Sequence, residues 1–374
     1  MTTLLWVVLT PLVLILLAIA VFFGKAIVSG AREGWREEMS KNNANGDAYE
    51  LPEECAALGL LPRGELDKSS PGPRPEALAA ALAAVEAGDW KPAAELMRGT
   101  ARTKDWERRA YDVGILCGNA AVDDTWLLAW ESAVPDDPDA AVLRAWSTVS
   151  LAGKLRGAQR AQNTTSEQFD AFHRTLARAR AEIARAAELN PEDPTPYLSE
   201  ISAALGLGYP HAEMDRIWAE VTARAPHHYA AHWFALQYWC KKWRGSEQLA
   251  HAFAAEAVAG APLGSLMTVF PLIAHFEHDD TSNGDFTKTP EVLALVDAAL
   301  ADVAAADPAH PRLVEARHML AYFLSFQDRD AEAVEQFKLV DGYVGSLPWF
   351  YESDPTRLYC HLRDLSVQAA AKPS

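Results

Sequence analysis

Apolar residues recur along most of the chain at three- and four-residue steps, the spacing that lines one face of an α-helix. From Glu76 onward no alternating β-branched run interrupts them, and Ala-rich stretches fill the intervals between turn signals. Those signals are regular: Gly88, Pro135-Asp136-Asp137-Pro138, Asn190-Pro191, Pro226, Gly260-Ala261-Pro262 and Asp307-Pro308. They predict an all-α fold of roughly fourteen or fifteen helices joined by short turns. Thr164 and Glu167 have the spacing of a capping box and predict a long helix over Thr165–Leu189. Tyr229–Trp243 predicts an aromatic helix. Its stripe of Tyr229, Trp233, Leu236, Cys240 and Trp243 reads as core, and Tyr238 and Trp239 fall outside it.

The N-terminal pattern is different. Leu4–Phe23 is uncharged and almost wholly apolar. Twenty helical residues span roughly 30 Å, the thickness of a bilayer's hydrocarbon core. A single transmembrane helix is expected within an anchor over residues 1–29, touching lipid through residues 4–23 and placing the chain at a cell membrane. Pro11 would kink the span without abolishing it. A cleaved signal peptide is the competing reading, because Ala18-Ile19-Ala20 resembles a cleavage site, but no basic residue precedes the span. Lys25, Arg32, Arg36 and Lys41 follow it, so the positive-inside rule puts the C-terminal domain in the cytoplasm. Residues 30–75 read as a charged and Pro-rich linker with Pro62, Pro71, Pro73 and Pro75, and with one short helical turn within Tyr49–Leu60. The helical domain is expected over 76–374.

Within that domain the punctuation has a period. Pro191, Pro226 and Pro262 lie 35 and 36 residues apart. Matching offsets before successive prolines select Ala179, Ile183 and Ala186; Met214, Trp218 and Val221; Ala250, Ala254 and Ala257; and Val296, Leu300 and Val303. Ala333, Phe337 and Val340 repeat the signature, and Leu320, Ala321 and Leu324 stand in the companion helix. This small-x3-large-x2-small run before a proline resembles the tetratricopeptide (TPR) repeat. The first-helix Trp-x2-Leu-Gly pattern of that family is largely missing, and two proline spacings, 56 and 46, are irregular. Lys242-Trp243-Arg244-Gly245-Ser246 is also similar to a bacterial TPR-like family of unknown function, a likeness that brings no activity. The TPR resemblance implies a solenoid of helical hairpins that binds a peptide or protein on its concave face. Carried over by position, it implies His232, Trp239 and Lys242 in one hairpin, and Glu315, His318 and Tyr322 in another, as groove residues.

Charge and chemistry narrow this only slightly. The 374 residues carry 51 acidic and 34 basic side chains, a net charge of −17, which disfavours nucleic acid as a general partner. Cys55, Cys117, Cys240 and Cys360 show no zinc or redox spacing and read as buried free thiols; two disulfides are open to them only outside the cytoplasm. No nucleophile elbow, phosphate loop, dinucleotide fingerprint or H-E-x-x-H is present, so no catalytic residue and no cofactor are expected. His228 and His232 form an i,i+4 pair. His275 and His278 precede a stretch similar to part of a calcium loop, with Asp279, Asn283, Gly284 and Asp285, but Pro290 stands where a bidentate Glu belongs. A metal-dependent hydrolase or calcium-binding protein using His275, His278, Asp279, Asn283 and Asp285 is therefore the alternative function. Arg174, Arg178 and Arg185 share one helix face, either solvated or directed at an anionic lipid headgroup or acidic partner. The leading expectation is a membrane-anchored adaptor or scaffold, not an enzyme.

Overall fold

The computed structural model describes residues 49–157, 165–279 and 284–372. Among the described residues there are sixteen α-helices and no strand; one isolated bridge pairs Asp67 with Tyr343. The chain divides into two compact units, one of Arg74–Phe253 and one that joins the described part of Lys25–Pro73 to Ala254–Ser374. The division falls inside a helix.

The first unit holds α2 (Glu76–Glu86), α3 (Lys91–Thr103), α4 (Trp106–Ala120), α5 (Thr125–Ala133), α6 (Pro138–Arg156), α7 (Ser166–Leu189), α8 (Thr195–Leu207), α9 (His211–Arg224), α10 (Tyr229–Trp239) and the first half of α11 (Glu247–Val258). Most of these helices pack on the next in sequence, a solenoid-like succession. The long helices α6 and α7 make the tightest pair, burying Ala145, Val149 and Ala152 against Phe172, Leu176, Ala179 and Ile183. Small residues facing one another let the two backbones approach while the larger ones interdigitate. The repeat is also visible in polar links that each span 33 residues: Arg180 donates to Glu213, Arg224 to the Pro191 carbonyl, and the His211 ring to the Arg244 carbonyl.

The second unit contains α1 (Glu53–Ala57), the rest of α11, α12 (Val269–His278), α13 (Pro290–Ala305), α14 (Leu313–Phe326), α15 (Asp330–Val340) and α16 (Pro355–Ala370). From α12 to α16 each helix packs on its successor. The described part of the expected linker is not a bare spacer. Cys55 and Leu60 are buried with Val334 and Val367. Asp67 exchanges backbone hydrogen bonds with Gly342 and Val344, and Arg63 pairs with Asp354 at 2.6 Å. Burial of these side chains on helices almost three hundred residues later in sequence makes 49–73 part of the second unit.

The expected apolar stripes face inward. Ala179, Ile183, Ala186, Met214, Val221, Ala250, Ala254, Ala257, Val296, Val303, Ala333, Phe337 and Val340 are all buried, as are Leu320, Ala321 and Leu324. The four cysteines are free and buried. Two boundaries move. The capping box uses Thr165 and Gln168, one place later than expected, so that α7 begins at Ser166. The aromatic helix α10 ends at Trp239, and Lys242 lies in the turn that follows.

The expected fold class needs one correction. Among the described residues no helix is long and apolar enough to cross a membrane. The transmembrane component and the single-pass localisation at a cell membrane are replaced by an all-helical fold without such a span there, and the cytoplasmic orientation goes with them; residues 4–23, through which contact with lipid was expected, lie outside the described residues. The anchor proposed for residues 1–29 lies outside the described residues.

Candidate functional site

A cleft of about 300 Å³ opens where the end of α5, the start of α6 and the end of α7 converge. Sequence builds it from the turn Val134-Pro135-Asp136-Asp137, since Pro135 and Pro138 break the helices on either side. Asp137 caps α6: its Oδ1 accepts from the backbone amides of Asp139 and Ala140 at 2.9 and 3.3 Å, and its Oδ2 from the Trp130 indole at 3.2 Å. The Trp130 ring is held by stacking on Trp90 with 5.5 Å between centroids. Helix α6 contributes Arg144, whose Nε and Nη2 donate to both oxygens of Glu131 at 2.9 and 2.8 Å while Nη1 donates to Asp124 at 2.6 Å. Burial works against its charge, yet these carboxylates more than offset that and hold its pKa above the ordinary value. Helix α7 contributes Arg185, paired with Asp136, and Glu182. Glu182 faces the Arg178 guanidinium at 3.3 Å and has Thr148 as a further hydrogen-bond partner, but burial outweighs both and raises the carboxyl's pKa.

Three of the six groove residues implied by the TPR resemblance are buried and the other three are half-buried. His232 is buried on α10, donates from Nδ1 to the His228 carbonyl at 2.9 Å and packs edge-on to Trp218; burial pushes its pKa down to about 4. His318 is buried on α14. Its Nε2 donates to the Pro71 carbonyl at 2.8 Å and its Nδ1 accepts from the Trp349 indole at 2.9 Å, which fixes one neutral tautomer; burial pushes its pKa down to about 4. Tyr322 is buried against Phe276, Phe326 and Trp349. Glu315 is half-buried and paired with Arg312 at 2.6 Å. Trp239 and Lys242 are half-buried, with the Trp239 ring 4.9 Å from His211. Gly245 also has a structural reason: a Cβ there would lie 1.8 Å from the Trp239 carbonyl oxygen, so only glycine closes this turn.

The alternative metal centre does not assemble among the described residues, where no three His, Cys, Asp or Glu side chains converge. His275 and Asp279 bond to each other at 2.6 Å, and His278 donates to the Ala274 carbonyl at 2.9 Å. Asp285 opens a short 3-10 helix, and Asn283 lies outside the described residues. Gly284, which gave the segment its calcium-loop likeness, has φ +71° and passes so close to the Phe326 ring that a Cβ would clash at 2.3 Å. The basic face on α7 is partly neutralised: Arg178 pairs with Glu182 and donates to Thr148, and Arg185 pairs with Asp136, while Arg174 is exposed.

Only Arg185 is shared by the expected site residues and the cleft. Sequence marked the Pro-Asp-Asp-Pro turn as punctuation, but nothing in the spacing of Glu131, Arg144 and Glu182 announced that they converge. Comparison with family models, with curated proteins and with solved structures gave no match.

Proposed function

We propose that this chain is an adaptor or scaffold that holds a protein or peptide on the surface of TPR-like helical hairpins. The observation that carries the reading is the cleft itself, about 300 Å³ at the junction of three consecutive helices and lined by charged side chains that other side chains hold in place. A volume of that order takes one side chain or a short peptide turn. The periodic prolines, the small-x3-large-x2-small stripes and the polar links spanning 33 residues support the TPR-like description, in which stacked hairpins present successive helix ends to a partner.

Selection of a phage-displayed library of random dodecapeptides on the full chain tests the proposal. The expected result is a family of enriched peptides that, made synthetically, bind with a roughly micromolar Kd in calorimetry. Enrichment no greater than on bare support, after the same rounds, would refute it.

A further inference from the structure

We infer that His228 is a proton-operated clasp between α4 and α10: the neutral ring caps α10, and the protonated ring gives up that cap and bonds to Glu107 instead. Mild acid then frees the first turn of α10 while α10 stays tied to α4.

Two helix N-termini meet at this ring. His228 immediately precedes α10, and its Nδ1 accepts from the Ala231 amide at 3.3 Å. That amide is the third of α10 and has no acceptor inside the helix. The other ring nitrogen, Nε2, donates to the carbonyl of Trp106, the first residue of α4, at 3.1 Å. Together the two bonds fix one neutral tautomer, with its hydrogen on Nε2. A serine or asparagine would cap this helix without regard to pH. A histidine does not, because the atom that accepts the amide is also the atom that takes up the proton.

A second partner for the protonated ring is already in place. Glu107, in the first turn of α4, accepts from the Tyr229 amide through Oε1. Its Oε2 is buried without a donor and lies 3.5 Å from His228 Nδ1. Two acceptors thus face each other with no hydrogen between them. One proton on Nδ1 turns this contact into a charge-assisted hydrogen bond and removes the lone pair that Ala231 uses. The new cation also stands at the positive end of the α10 dipole, which favours its turning from the helix toward the carboxylate. The bond to Trp106 survives, since Nε2 carries its hydrogen in both states.

The other ionisable groups nearby leave the exchange to this pair. His232, one turn into α10, donates to the His228 carbonyl, and burial keeps it neutral by pushing its pKa down to about 4. On α4, Asp105 caps its own helix, Arg108 lies over the Tyr111 ring, and Arg109 is bound to Asp139 and Asp193. Asp112, which burial pushes up to about 7, lies more than a turn farther along α4. On α8, Glu200 is paired with Arg216, and at the end of α9 Arg224 is paired with Glu220. His227, the residue before the cap, is half-buried, and charge on it acts against charge on His228. Both His227 and Asp112 remain in a variant altered only at position 228, so a pH response of their own would persist there.

Nuclear magnetic resonance of the isotope-labelled full chain tests the inference between about pH 8 and about pH 5, the range in which an imidazole ordinarily charges. At the alkaline end the His228 ring is expected to carry its hydrogen on Nε2 alone. Toward the acid end it gains a second on Nδ1. Over the same range the exchange of the Ala231 amide with solvent, corrected for the pH dependence of exchange itself, is expected to quicken about fivefold, the worth of one N-cap. His228→Asn, a cap without a titrating atom, is expected to abolish that change. Glu107→Gln is expected to require about tenfold more acid for it. Equal protection of Ala231 at the two ends overturns the inference, as does a His228 ring that stays uncharged throughout or carries its hydrogen on Nδ1 at the alkaline end. These readings use the unaltered protein, so they decide even where a variant fails to fold. The same quickening in His228→Asn overturns it by assigning the effect to another group, and an unmoved midpoint in folded Glu107→Gln overturns it by removing the second partner.

Discussion

The first unit buries Arg109 and Arg156 completely and the second Arg363, and Arg109 and Arg363 are satisfied in different ways. Arg363, on α16, uses all three nitrogens: Nε donates to Asp364 at 2.9 Å, Nη1 to the Leu61 carbonyl at 2.8 Å and Asp341 at 3.1 Å, and Nη2 to the Tyr49 hydroxyl at 3.0 Å. Its partners are themselves supported, since Asp341 also accepts from the Leu61 amide and Tyr359, and Asp364 from Tyr49 and Cys55. Arg109, on α4, pairs with Asp193 at 2.6 Å and Asp139 at 2.7 Å and donates to the Met97 carbonyl at 3.0 Å, but its Nη2 has no acceptor. One turn along α4, Asp112 is buried with both oxygens unmet. A buried charge is stabilising only when every remaining donor and acceptor around it is used. The second unit meets that condition at Arg363, and the first does not at Arg109 and Asp112.

Substitutions sharpen the contrast. Arg109→Ala is expected to have the largest effect, a loss of about 3–5 kcal/mol, because two buried carboxylates then lack their cation. The loss should be smaller at acid pH than at pH 8, because burial already raises the Asp139 carboxyl and a proton there relieves the uncompensated charge, and urea unfolding at the two pH values measures it. Arg363→Ala is expected to cost less, about 2–3 kcal/mol, since Asp341 and Asp364 keep other donors. Its distinctive mark is local: trypsin should cut after Arg63 or Lys68 in the variant sooner than in the parent. Equal losses for the two variants, without new cleavage, would erase the difference drawn between the sites.

Asp112 gives the next effect, of opposite sign. Burial pushes its carboxyl up to about 7, against the pull of Arg108 and with Asp105 adding to it. Between about pH 4 and pH 7 the folded chain holds a proton that the unfolded chain has released, so this group's contribution to stability falls as pH rises through that window. Asp112→Asn is expected to raise stability at pH 8 by about 1–2 kcal/mol and to change little at pH 4. A variant less stable than the parent at pH 8 would mean that the carboxylate has a partner in solution. The smallest effect belongs to an exposed arginine: Arg185→Ala, which breaks a solvated pair with Asp136, should shift stability by less than about 0.5 kcal/mol in thermal unfolding.

Sequence revealed the helices and their inward faces because period and turn chemistry are local. Ala179, Ile183 and Ala186, or Ala333, Phe337 and Val340, are recognisable from their spacing alone. The site residues were harder to read, since polarity does not tell which way a side chain points. His232, His318 and Tyr322 look like ligands in a one-dimensional string, yet each is buried, and His318 has both nitrogens matched inside the core. The partners of His318 are 247 and 31 residues away, beyond any helical period. The same distance hid the role of residues 49–73, whose prolines imitate a spacer. The cleft was half legible: the turn that shapes it was seen, and the convergence of Glu131, Arg144 and Glu182 was not.

The docking of residues 49–73 also has a temporal side. During synthesis Tyr49, Leu61, Arg63 and Asp67 leave the ribosome long before their partners Asp341, Tyr343, Asp354, Arg363 and Asp364 are made. The intervening residues 74–253 form the described part of the first unit, and a contiguous stretch of that kind is able to condense while translation continues. The earlier segment has to wait with its polar groups in water until those partners have been made. A message truncated before Arg363 would therefore leave residues 49–73 without their partners Arg363 and Asp364 as well as removing the end of α16.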